Sequence, residues 1–211
     1  MGTTMSFLYV KNRPFAQGEL SAGIRHFAGE EQKKNKAYLE LFRPFLPADA
    51  VGRIASSQRR KTPKAALAYS ESAVWLPLFL ESLCEGNITS SDELLPISSQ
   101  LHTPALAFSV YDSDALFVSY CDGKSGAAHD YVKPNFPQFE EFDSTKYRAA
   151  FPAFLSELCG EANRGRLVAV WNAENVVFAD DRLSKLAELM ELPVIYDFNE
   201  ERSGFRRIPA K

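Results

Sequence analysis

The chain has 211 residues, 45% of them hydrophobic and 12% aromatic, with a formal charge of -3 and a pI near 5.7. That is enough apolar material for a substantial core and too much for a disordered chain, and the acidic balance gives no general pull toward nucleic acid or anionic lipid. The longest apolar run, residues 73–80, is broken by Pro77 and far too short to span a bilayer, so no membrane segment is expected.

Residues 6–11 alternate like a short opening strand. The first fifteen residues carry no basic stretch followed by a long apolar one, so no secretion signal is expected there. A helix is predicted from about residue 19 to 27. Gly29 separates it from a second helix over 30–42, where Tyr38, Leu39 and Phe42 share a stripe beside solvated Lys33, Lys34 and Lys36. Pro44 and Pro47 end that element, and Pro47 suits the start of a third helix to about Ser57, with Val51 and Ile54 inward. The basic run QRRKTPK, residues 58–64, reads as a surface loop. Residues 65–70 and 73–80 then form a pair of strands, with Pro77 placing the second at an edge or a bulge. Ser91 or Asp92 caps a short helix toward Leu101.

Residues 104–121, PALAFSVYDSDALFVSYC, carry the strongest local signal. Leu106, Phe108 and Val110 fall on one face of a strand, and Ala105, Ala107, Ser109 and Tyr111 on the other. Beyond an Asp-Ser-Asp turn, Leu116, Val118 and Tyr120 alternate with Phe117, Ser119 and Cys121. This is a hairpin, and the apolar or small character of both faces puts it inside a covered sheet. Asp122-Gly123 turns the chain into a third strand over 127–132, followed by an irregular connection over 133–142. A helix over 146–159, capped by Ser144 or Thr145 and kinked at Pro152, buries Phe151, Phe154, Leu155 and Leu158 and stops at Gly160. Periodicity leaves 167–171 open between strand and helix. Asp180 caps an amphipathic helix over 181–191 with Leu183, Leu186, Ala187 and Met190 inward, and Pro193 admits a last strand over 194–198. Helices on either side of successive antiparallel strands predict an α+β fold: a predominantly antiparallel sheet packed by helices, one domain over 1–211 with a helical N-terminal subregion at 19–57. The only plausible cut lies at 58–64.

Several constellations bear on chemistry. Asp112 and Asp114, with Asp122 farther on, could offer oxygen ligands to a hard cation and serve a metal-assisted hydrolase. The competing reading has these side chains bonding their own backbone to tighten turns. No calcium-loop spacing follows, so the turn reading outweighs the metal. Gly123-Lys124-Ser125-Gly126 fails as a phosphate loop because Val118 stands where the pattern needs glycine. His129 sits beside Asp130, but neighbouring strand residues point to opposite faces and cannot simply pair. His26 and His102 have no partner pattern, and neither a G-x-S-x-G elbow nor an H-E-x-x-H helix occurs, so no catalytic residue, metal or cofactor is assigned. Arg59, Arg60, Lys61 and Lys64 could contact phosphates or an acidic partner, although in an acidic chain a solvated loop is favoured over nucleic-acid binding. Trp75 with Phe79, and Trp171 with Phe178, are recognition aromatics if exposed; core packing is the commoner fate. The three cysteines, Cys84, Cys121 and Cys159, are odd in number and widely spaced, which points to buried thiols in a reducing compartment, the cytoplasm.

Two stretches, ALAFSVYDSDALFVSYCDG and VVFADDRLSKLAELMELP, together with the tryptophan-containing strand at 72–81, resemble a set of uncharacterised bacterial proteins. These share an x-D-S-D hairpin and an F-x-x-D/E-R-L-x-x-L-A-x-x-L helix, and the resemblance spans residues 65–198. It implies a fold and carries no activity and no functional residue. By analogy with small acidic bacterial proteins that neutralise toxins of competing strains, it implies an immunity-type role. Rich fold signal beside poor site signal predicts a non-catalytic module that binds another protein and no membrane. Its binding side chains would come from Asp112, Asp114, Trp75, Arg59 and Arg60. The alternatives are the hydrolase built on Asp112, Asp114 and Asp122, and a nucleic-acid binder working through 58–64.

Overall fold

The computed structural model describes residues 4–45, 47, 52, 65–135, 147–194 and 204–209. Its strands are β1 (Met5–Lys11), β2 (Ala66–Tyr69), β3 (Trp75–Phe79), β4 (Ala105–Tyr111), β5 (Ala115–Asp122), β6 (Ala127–Pro134) and β7 (Arg206–Pro209). All pair antiparallel in one sheet, in the order β6-β5-β4-β1-β3-β2-β7. The helices are α1 (Glu19–Phe42), α2 (Glu81–Cys84), α3 (Ser91–Leu101), α4 (Phe154–Cys159), α5 (Arg164–Asn172) and α6 (Ala179–Leu189). Among the described residues no helix is long and apolar enough to cross a membrane.

The predicted α+β class holds, and the alternation along each strand explains how. In β1, Phe7 and Tyr9 join Leu106, Phe108, Leu116 and Val118 on one face, under Leu155, Leu167, Trp171, Leu183 and Leu186 from α4, α5 and α6. Leu8 and Val10 point the other way, to Leu76, Leu78, Ala105 and Ala107, beneath Leu20, Ile24 and Phe27 of α1 and Leu94, Ile97 and Leu101 of α3. Both faces are covered, so the central strands read as continuous apolar runs although the sheet is antiparallel. The hairpin forms in the expected register, with Phe108 opposite Val118 and Val110 opposite Leu116. Its small residues face α3, which comes so close that a Cβ on Gly123 would lie 2.6 Å from the Ser99 backbone.

Several expectations are corrected. β3 is interior, between β1 and β2, and not an edge strand. Its ladder with β2 stops at Leu67↔Leu78, short of Pro77, while the register with β1 runs on through Tyr9↔Pro77. The proline thus ends one ladder without expelling the strand from the sheet. Gly29 does not divide α1, because an interior helical glycine costs only about 1 kcal/mol. Leu20, Ile24, Phe27 and Ala28, in the first half of α1, are part of the core. Its second half carries Glu30–Lys33 and Glu31–Lys34 ion pairs, and Glu40 pairs with Arg43 just past its end.

The helix expected from residue 146 begins only at Phe154. Arg148 instead bridges to Tyr131 on the β6 edge, its N–H donating to the Asp130 carbonyl (3.0 Å) and its carbonyl accepting from Val132 (2.9 Å). Pro152 sits just ahead of α4, where its missing N–H costs nothing. Residues 167–171 are helical, within α5. Ser90 is the cap of α3, its backbone N–H donating to the Glu93 carboxylate at 2.7 Å. α6 starts at Ala179 with Phe178 in the capping position, so Asp180 lies inside the first turn and is not the cap. Of the third helix over 47–57 only Pro47 and Gly52 are described, and the basic loop over 58–64 and residues 136–142 of the connection lie outside the described residues, as do the Tyr38, Leu39 and Phe42 side chains and all but Val194 of the strand over 194–198. The last described strand is β7, paired to β2.

Candidate interaction surface

The turn between β4 and β5 is closed by Asp114, whose N–H donates to the Tyr111 carbonyl at 2.8 Å. Asp112 and Ser113 both adopt left-handed backbone, with φ of 46° and 61°. That conformation suits glycine, asparagine and, less well, aspartate, and costs a serine on the order of 1 kcal/mol or more. It persists because neighbouring elements hold it. The Ser113 carbonyl accepts from the Ala179 N–H of α6 (2.8 Å) and from Asn135 Nδ2 (3.4 Å), and the Asp114 carbonyl accepts from the Asn135 N–H (2.8 Å). Asn135 Nδ2 also donates to the Val177 carbonyl at 3.1 Å, and its Oδ1 accepts from Arg182 Nη2 at 3.3 Å.

Arg182 anchors this web. Its side chain is 1% exposed, and its guanidinium donates to the carbonyls of Val170 (2.7 Å), Trp171 (2.6 Å) and Ala173 (3.0 Å) at the end of α5. Those carbonyls are the negative end of the α5 dipole, which is how a buried cation is tolerated with carbonyls in place of a carboxylate. Burial still pulls the guanidinium below its ordinary pKa.

Outward, the same framework presents Val177 (57% exposed) and Phe178 (54% exposed). The same two segments carry exposed Asp112, Glu174 and Asp181 and half-buried Asp114 and Asp180. Contiguity follows from one bond: Asp112 and Asp114 flank Ser113, and Phe178 and Asp180 flank Ala179. Lys133, at the end of β6, is held below the usual lysine range by burial and then by the Arg182 charge, with Glu174 pulling the other way. The first-turn carboxylates Asp180 and Asp181 are accounted for by the α6 dipole. Phe178 is not. The capping position favours Ser, Thr, Asp or Asn, and no side chain caps α6 here.

The other expected site residues go elsewhere. Asp122 lies at the far end of β5, seven residues beyond Ala115, or about 23 Å at the rise of a strand. Its carboxylate accepts from the Lys124 N–H (3.0 Å) and Ser125 Oγ (2.9 Å), a plain turn. Asp112, Asp114 and Asp122 are therefore not one constellation, and among the described residues no group of three or more His, Cys, Asp or Glu is placed to hold a metal. The hydrolase reading loses its assumed site. Trp75 is 2% exposed in the core with Trp171, so neither is an exposed aromatic; of the four aromatics considered, Phe178 alone is exposed. Arg59 and Arg60 lie outside the described residues.

His129 and Asp130 diverge, as strand alternation predicts. His129 stacks with Tyr120 and Phe154, while Asp130 accepts from the Ser91 N–H (2.8 Å), Ser91 Oγ (2.6 Å) and Ser119 Oγ (2.7 Å), pinning the start of α3 to the sheet. A second polar contact of the same kind joins Ser6 Oγ to Ser109 Oγ at 2.6 Å, with both accepting from the Thr89 N–H. Burial pushes the Cys84 thiol up to about 12 and those of Cys121 and Cys159 to about 11.

Asn135 and Arg182 were missed from sequence. Arg182 did leave a trace, since it falls on the apolar stripe of Ala179, Leu183 and Leu186 where a solvated arginine has no place. Asn135 left none, because its partners come from distant segments. No family model, curated protein or solved structure matches the chain.

Proposed function

We propose that this protein is a non-catalytic interaction module, of the adaptor or immunity type, that engages another protein through the Asp112–Asp114 turn and residues 174–181. One observation carries the reading. Phe178 stands more than half exposed where a polar cap would be more stable, with Val177 exposed beside it, next to a turn that keeps two non-glycine residues in left-handed backbone. Local rules broken side by side, and held in place by a buried network, mark a surface kept for something other than stability. An apolar anchor with a polar rim is also the anatomy of a small interface hot spot. Elsewhere the polar groups serve the architecture, as with Asp130, Asp122 and the Ser6–Ser109 pair.

The test is affinity capture from the native host, comparing the wild type with Val177→Ser/Phe178→Ser. Exposed positions of this kind change stability by only about 0.5 kcal/mol, so the variant stays folded. The expected result is one stoichiometric protein partner retained by the wild type and lost by the variant. Identical protein sets from both would overturn the proposal.

A further inference from the structure

We infer that the occupant of this surface is a positively charged segment of a partner protein that also bears an apolar side chain; this rests on the interaction reading above. Five carboxylates, Asp112, Asp114, Glu174, Asp180 and Asp181, lie on the two segments that the Ser113–Ala179 bond joins beside Val177 and Phe178. Against them stand, among the described residues, half-buried Lys133, exposed Lys185 one turn along α6, and Arg182, buried on the α5 carbonyls: five carboxylates against three cations. The excess is negative at the apolar anchor.

That excess discriminates among occupants. A second copy docking through the same patch would bring identical carboxylates face to face, because a two-fold interface is self-complementary. Nucleic acid and anionic lipid are repelled for the same reason. A wholly apolar partner would cover the rim carboxylates without pairing them, which is costly. A basic segment pairs the rim while an apolar side chain covers Val177 and Phe178, and its encounter is steered by charge and screened by salt.

The probes are three synthetic peptides of equal length and identical apolar residues, rich respectively in lysine, in serine and glutamine, and in glutamate. Each is titrated into the isotopically labelled protein and followed by amide chemical shifts. The lysine-rich peptide is expected to move the amides of residues 111–115 and 174–182, and to weaken about tenfold when salt rises from roughly 50 to 300 mM. Asp112→Asn/Asp181→Asn should weaken it severalfold, and Val177→Ser/Phe178→Ser should abolish it. Equal binding by the neutral peptide, lysine-peptide shifts centred elsewhere, or no selective shift at the patch overturns the inference. A host partner lost from Val177→Ser/Phe178→Ser but indifferent to salt and to Asp112→Asn/Asp181→Asn overturns it too, while leaving the interaction reading intact. A partner retained in full by Val177→Ser/Phe178→Ser removes the reading on which it rests.

Discussion

Replacing Arg182 with methionine tests the framework beneath the surface. Methionine fills much of the same space, so the loss is chiefly polar: two bonds from Nη1 to Val170 and Trp171, and two from Nη2 to Ala173 and Asn135. Leaving the three carbonyls unpaired costs about 1–3 kcal/mol each where water is excluded. Removing a buried cation returns part of that, since its desolvation was itself unfavourable. A net loss of about 3 kcal/mol follows. For a chain of 211 residues each kcal/mol moves Tm by roughly 2–4 °C, so Arg182→Met should melt about 6–12 °C below the wild type in calorimetry. Arg182→Lys should fall between, because one ammonium cannot reach both the α5 carbonyls and Asn135. A Tm within about 2 °C of the wild type for Arg182→Met would refute the assignment of Arg182 as the clasp between α5 and α6.

Other outcomes follow from the same structure. Gly123→Ala should lose about 1–3 kcal/mol in urea unfolding, since its Cβ would meet the Ser99 backbone at 2.6 Å. Gly29→Ala, with nothing within 4 Å of the added atom, should gain up to about 1 kcal/mol. Converting Asp112-Ser113 to Asn-Gly should raise stability by about 1–2 kcal/mol by relieving left-handed backbone, yet weaken partner binding through the lost carboxylate; a stabilised variant with undiminished binding would show that the acidic turn is dispensable. The buried thiols of Cys84 and Cys121 should resist a disulfide reagent at pH 8 until the protein unfolds. Because the folded thiols titrate above the ordinary value of 9.0, the unfolded chain loses protons first as pH rises. Their contribution is complete below about pH 9 and is lost toward pH 11–12, which chemical denaturation across that range measures.

The hairpin was legible because period-two alternation within 105–122 is a local signal and both of its faces are apolar or small. The inward residues of α6, Leu183, Leu186, Ala187 and Met190, were legible for the analogous helical reason. Pro77 misled because edge placement is one way to accommodate a missing donor, and a ladder that stops short of it is another. Gly29 misled because its cost is small against the packing of the flanking turns. The extended backbone before Pro152 depends on an unpaired length of β6, which only the assembled sheet provides. The site was half legible. Asp112 and Asp114 were singled out as a pair, but their neighbours Val177, Phe178, Asn135 and Arg182 arrive from segments 21 to 70 residues away, and nothing local announces that meeting.

The central claim is that Phe178 stands where another protein docks. A photo-crosslinking residue placed at position 178, with one at exposed Leu95 on α3 as control, tests it directly in the native host. One discrete protein adduct is expected from position 178 and none from position 95. No adduct from 178, or the same adducts from both positions, would contradict it.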